Sequence, residues 1–155
     1  MLFASLPQER PVATTTVVHD TRVHRGIHPV HAVFLASMLP PFLGALLSDI
    51  AYANTYDIQW QNFSSWLIVG GMVFCGITLV LAIVGLFRGW RDGRGVLYVL
   101  AVAATFVLGF INALVHAKDA WAMMPEGPIL SAIVLLLALL ATWLGFAGYR
   151  TRGGA

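Results

Sequence analysis

Asp49, Asn112 and His116 are the side chains best suited to chemistry in a chain that is otherwise strongly apolar. Each lies at or near the end of a long stretch without formal charge. Asn112 and His116, four residues apart, would share one face of a helix. A carboxylate beside an imidazole in apolar surroundings is suited to relaying protons, binding a cation or holding a polar ligand. Tyr52, Lys118 and Asp119 fall at a similar depth, and Asp49, Tyr52, Asn112 and His116 form the candidate cluster. The plainer role for the same groups is hydrogen bonding between helices, worth about 0.6 kcal/mol per contact in a membrane.

A second group is His19, His24, His28 and His31, four imidazoles within 13 residues. His28 and His31 are candidates for a divalent metal or for contact with lipid headgroups, since imidazole is a common ligand. Asp20 is the one carboxylate near them. Pro29 biases His28 toward extended backbone and opens a helix, which makes His28 the expected cap and puts His31 in the first turn. Cys75 is the single cysteine. It excludes an intramolecular disulfide and a cysteine-based zinc or iron-sulfur site within one chain, and is expected to be a small packing residue.

The elements that must position these groups follow from the distribution of charge. Only 10% of the 155 residues are Asp, Glu, Lys or Arg. Four stretches carry none: Gly26 to Ser48, Ile58 to Phe87, Gly95 to Ala117 and Gly127 to Tyr149, together 99 residues. Crossing a hydrocarbon core about 30 Å thick takes roughly 20 apolar residues of helix. The expected fold is therefore an all-α membrane protein, a bundle of four transmembrane helices over about 30–52, 63–87, 96–117 and 128–149. A soluble domain, a disordered chain and a barrel of alternating strands are excluded. Residues 1–25 are expected to be a flexible cytoplasmic tail, 26–150 the membrane domain and 151–155 a second tail. With no apolar region in the first 25 residues, the first span is expected to act as the uncleaved insertion signal.

Four spans put both termini on one side. Eight of the nine basic residues fall on that side, in the N-terminal segment, the Arg88 to Arg94 loop and the C-terminal tail; Lys118 alone falls on the other. The positive-inside rule then assigns both termini to the cytoplasm and the Asp49 cluster to the outer side. Tyr52, Tyr56, Trp60, Trp66 and Trp121 are read as the outer aromatic belt, and Trp90, Tyr98 and Tyr149 as the inner one. His31 and His116 would then lie at opposite surfaces, about 25 to 30 Å apart. One chain could not give both to a single haem, which needs its axial ligands at one depth. A dimer pairing His31 with its copy, or mixed ligation, is the haem arrangement left open.

Small residues recur on each span: Ala32, Ala36, Pro40, Gly44 and Ser48; Gly71, Cys75, Thr78, Ala82 and Gly85; Ala101, Thr105, Gly109 and Ala113; Ala138, Ala141, Gly145 and Gly148. Such faces let helices approach closely in lipid and predict a compact bundle. Pro40-Pro41 removes two amide donors near the middle of the first span and predicts a kink there.

His28-Pro29-Val30-His31, the run from Pro40 to Tyr52, Trp60 and the segment Ser65-Trp66-Leu67-Ile68-Val69-Gly70-Gly71 together resemble a bacterial family called domain of unknown function 2231. The resemblance implies a four-span inner-membrane protein with no established role. His28, His31, Asp49 and Tyr52 match the family pattern, which supplies no chemical role for them. Members often carry a further His near the loop before the third span; here Arg88 to Gly95 has none.

Three kinds of function follow. One is a non-enzymatic assembly partner or complex subunit, working as a homo-oligomer or with another membrane protein. The chain has no nucleophile with a base, no phosphate loop and no paired catalytic carboxylates, and a net charge of +2 gives no reason to expect nucleic acid. The second is a redox bundle holding haem, quinone or metal. The third is a small oligomeric transporter or ion pathway through Asp49, Asn112 and His116.

Overall fold

The computed structural model describes residues 27–89 and 93–147. Among them the regular structure is entirely helical: α1 (Pro29–Ser37), α2 (Leu39–Thr55), α3 (Ile58–Phe87), α4 (Gly93–His116) and α5 (Glu126–Ala147). Taking α1 and α2 as one span, four helices are long and apolar enough to cross a membrane. His19, Asp20, His24, Trp90 and Tyr149 lie outside the described residues.

Local chemistry sets the ends. His28 caps α1, its Nδ1 accepting the Val30 N–H at 3.3 Å, and Pro29 occupies the first turn, where a missing N–H costs nothing. Pro40 and Pro41 supply no amide hydrogen to the carbonyls of Ala36 and Ser37. The first span is interrupted at Met38, and the prolines stand in the first turn of α2. Asp57 caps α3 by accepting the Gln59 N–H at 3.0 Å. The 30 residues of α3 extend about 45 Å, longer than the hydrocarbon is thick, so its ends reach past the apolar layer.

The spans alternate in direction. α2 packs beside α3 and α5, and α4 beside α3 and α5. The first and third spans thus run parallel across the diagonal of the bundle. Leu35, Met38, Phe42, Cys75, Val102, Val134, Ala138 and Ala141 are enclosed between them and their neighbours.

The small-residue faces of the second, third and fourth spans point inward, with Gly71, Cys75, Thr78, Ala82, Ala101, Thr105, Gly109, Ala138, Ala141 and Gly145 all buried. The first span departs from expectation. Ala36 and Pro40 are exposed, and its inner face carries His31, Leu35, Met38, Phe42, Ala45, Ser48, Asp49 and Tyr52. Large residues here fill the space that small ones open opposite. A Cβ on Gly71 would lie 2.6 Å from the Phe42 ring, so Phe42 seats against bare backbone. Tyr52 and Tyr98, read as belt residues, are instead buried, each 3% exposed or less. Tyr56, Trp60, Trp66 and Trp121 do stand exposed, and Tyr56 stacks on Trp121 with centroids 5.3 Å apart.

The bundle has an internal correspondence. His31 bonds Tyr98 and Asp49 bonds His116, both pairs joining the diagonal spans and both separated by 67 residues. Shifting the inward positions Leu35, Met38, Phe42, Ala45 and Ser48 by the same 67 gives Val102, Thr105, Gly109, Asn112 and Val115, all buried, while Tyr52 maps past the end of α4 onto the exposed Asp119. Ser64 and Ser131, on the second and fourth spans, obey it too. Within each half, moreover, the diagonal partners are 18 residues apart, five turns of helix, and so return to one face about 27 Å further along.

Candidate functional site

Asp49 lies in the penultimate turn of α2 and His116 at the end of α4. Both are enclosed by α3, α5 and the segment between α4 and α5, with Asp49 0% exposed and His116 3%. His116 Nε2 lies 2.9 Å from Asp49 Oδ1. Each partner is also held by a serine from a flanking helix. Ser131 Oγ donates to Asp49 Oδ2 at 2.5 Å. Ser64 Oγ donates to the Ala45 carbonyl at 3.2 Å and lies 3.2 Å from His116 Nε2. Under the 67-residue shift these two serine contacts exchange places.

The imidazole is fixed from behind. Its Nδ1 faces the Asn112 carbonyl at 3.0 Å, and a carbonyl only accepts, so Nδ1 carries a hydrogen. Nε2 and Asp49 Oδ1 cannot then both be bare at 2.9 Å, since two lone pairs would face each other. One proton sits between them. It rests either on nitrogen, giving carboxylate and imidazolium, or on oxygen, giving two neutral groups. Both forms have zero net charge, which reduces the penalty that an isolated buried charge would carry.

The rest of the network follows from its donors. Ser131 gives its one hydrogen to Asp49, so it must accept from Asn112, and Asn112 Nδ2 lies 3.0 Å away. This turns Asn112 Oδ1 the other way, where it is buried without a partner. An acceptor stranded in this way costs about 1–3 kcal/mol. Gln61 Nε2 donates to the His116 carbonyl at 3.0 Å, tying the end of α4 to α3.

Met123, fully buried, packs with Tyr52 and Val115 and closes the Asp49 end. Gly127 gives it close approach: a Cβ there would lie 3.1 Å from His116 Cε1 and 3.5 Å from the Met123 sulfur, so the imidazole would have to give by a few tenths of an ångström. The charged residues of this end stay outside. Lys118 and Glu126 pair at 3.2 Å with both side chains exposed, and Asp119 is exposed.

Of the residues singled out from sequence, Asp49, Asn112 and His116 come together. Tyr52 adjoins them as packing, its ring against Tyr56 at 6.1 Å. Ser64, Ser131 and Gln61 complete the site and were not anticipated. His28 and His31 part company: His28 is an exposed cap, and His31 turns inward so that its Nε2 lies 2.7 Å from the Tyr98 hydroxyl. Among the described residues no three His, Cys, Asp or Glu side chains gather as a metal would need. His31 and His116, five turns apart along parallel spans, do not share a depth.

A family model described as predicted membrane protein, DUF2231, matches residues 27–151. The chain belongs to that family. The match takes in all four spans and both diagonal pairs. No curated protein and no solved structure is similar enough to add a role.

Proposed function

We propose that this DUF2231 member is a proton-exchanging membrane protein, an ion pathway rather than an enzyme, in which the Asp49–His116 couple is the working site. The observation that carries the reading is the single proton the couple must share, given that Nδ1 of His116 is committed to the Asn112 carbonyl. A group that can hold its proton on either of two atoms at no change in net charge is suited to passing it on. The serines on both sides keep the acid and the base in line without themselves titrating. The charge bias of the sequence favours a bacterial inner membrane with cytoplasmic termini and the couple near the outer face.

Four spans are few for a pathway through one chain, so the reading takes the protein as a homo-oligomer or as bound to another membrane protein. The lipid-facing Ala36 and Pro40, left over from the small-residue stripe of the first span, favour such an association. Crosslinking through cysteines placed at these positions tests it, and monomers alone in native membranes would count against it.

The deciding experiment is a pH-gradient assay in proteoliposomes with an entrapped dye. Wild-type protein is expected to speed equilibration. Asp49→Asn and His116→Gln are expected to slow it by about 100-fold, the scale on which a positioned acid or base contributes to proton transfer. Equal rates in wild type and variants would refute the reading.

A further inference from the structure

Two buried side-chain atoms among the described residues have no hydrogen-bond partner, Asn112 Oδ1 and Thr142 Oγ1. They belong to α4 and α5, which pack side by side. In hydrocarbon an unmet polar atom is costly, because no solvent competes to satisfy it. Neither atom is stranded for want of an ordinary alternative. Thr78 and Thr105 donate to the carbonyl four residues earlier at 2.8 Å, and Ser48 and Ser65 do likewise at 2.8 and 3.0 Å. Thr142 has Ala138 at that spacing and does not bond it. Asn112 is turned by the chain of donors through Ser131.

The positions of the two atoms are ordered along the bundle. Thr142 is 11 residues beyond Ser131 on α5, three turns on the same face and about 16 Å from the Asp49 end. One turn further, Gly145 meets Tyr98: a Cβ there would lie 3.2 Å from the Tyr98 ring. On α4, Thr105 stands midway between Asn112 and Tyr98, seven residues from each, with its oxygen still able to accept. At the near end Met123 is buried against Tyr52 and Val115.

Resting on the proton-exchange reading, we infer that bound water occupies the α4–α5 side of the bundle at Asn112 Oδ1 and Thr142 Oγ1, and that this water is the route by which the Asp49–His116 proton reaches the His31–Tyr98 end. Water donates a hydrogen to Asn112 Oδ1 and accepts the Thr142 hydroxyl hydrogen; a proton moves between the two ends along the water itself, each molecule taking a proton on one side as it gives one up on the other. The titratable groups at the ends of the route are Asp49 on α2 with His116 on α4, and His31 on α1 with Tyr98 on α4; the Cys75 thiol of α3, at an intermediate depth, is turned to the Val102 carbonyl. Lys118, Asp119 and Glu126 are exposed at the surface and do not face it.

Two measurements test the inference. In solid-state NMR of bilayer-embedded protein, magnetisation transfer from water is expected to reach the Asn112 side-chain amide and the Thr142 side chain; its absence at both would overturn the proposal. In the proteoliposome assay, Thr142→Val keeps the shape and removes the hydroxyl, and is expected to slow equilibration about tenfold, the scale of one lost hydrogen bond. A Thr142→Val rate equal to wild type would overturn the route. Loss of flux in neither Asp49→Asn nor His116→Gln, with water still seen at both stations, would instead reject the proton-exchange reading and leave the bound water standing.

Discussion

Asp49 and His116 face each other across the diagonal of the bundle, Oδ1 to Nε2 at 2.9 Å, from helices that are not neighbours. The contact therefore reports on all four spans at once, since each end is steadied by a serine from one of the other two.

Removing one member should cost more than removing both. Asp49→Leu or His116→Leu alone leaves the other buried group without its partner and is expected to destabilise by about 3–5 kcal/mol, whereas the double variant should recover much of that loss. Thermal unfolding in mild detergent provides the cycle. A double variant no more stable than the singles would show that the pair is not coupled.

Ser131 carries two bonds and Ser64 shares its own. Ser131→Ala strands both Asp49 Oδ2 and Asn112 Nδ2, and is expected to cost about 1–3 kcal/mol. Ser64→Ala should cost less, because the His116 nitrogen keeps Asp49. Equal losses in the two variants would contradict the network drawn here.

Glycine substitutions separate close approach from mere presence in a helix. Gly71→Ala sets a Cβ 2.6 Å from the Phe42 ring, and overpacking of this kind costs about 1–3 kcal/mol. Gly70→Ala, with nothing within 4 Å, is the control and should be neutral or better. Combining Gly71→Ala with Phe42→Leu should return part of the loss. Gly127→Ala crowds the imidazole directly and is expected to shift the His116 ring resonances.

In its contribution to stability the far pair should be independent of the near one. Tyr98→Phe deletes only the hydroxyl that meets His31 and is expected to cost about 1 kcal/mol. Because the two pairs lie about 27 Å apart, its effect should add to that of Ser131→Ala within about 0.5 kcal/mol. A larger interaction energy would reveal coupling along the first and third spans.

The four spans were legible because charge is nearly forbidden in hydrocarbon, so its absence marks each crossing. Asp49, Asn112 and His116 were legible for the same reason: a polar group at that depth needs a partner. Ser64 and Ser131 were not, because a serine in a membrane helix ordinarily bonds its own backbone and gives no sign of facing elsewhere. Tyr98 was misread as a belt residue since an aromatic near a span end has two homes, and only the inward turn of His31 decides between them. On the first span the small residues pointed to the wrong face. Its inner side is built from Leu35, Met38 and Phe42, and glycines on other helices, Gly145 and Gly71, hollow out the sites of Leu35 and Phe42. The 67-residue correspondence left almost no trace in residue identity: Asp answers to His, Phe42 to Gly109 and Ala45 to Asn112, so a search for likeness passes over it.

That correspondence bears on why an unlike pair can meet across the diagonal of such an arrangement. In a symmetric association of two identical hairpins, any residue near the axis meets its own copy, acid against acid or base against base. Joining the hairpins in one polypeptide lifts that restriction. The two halves need not then be alike, and one side can supply the donor while the other supplies the acceptor.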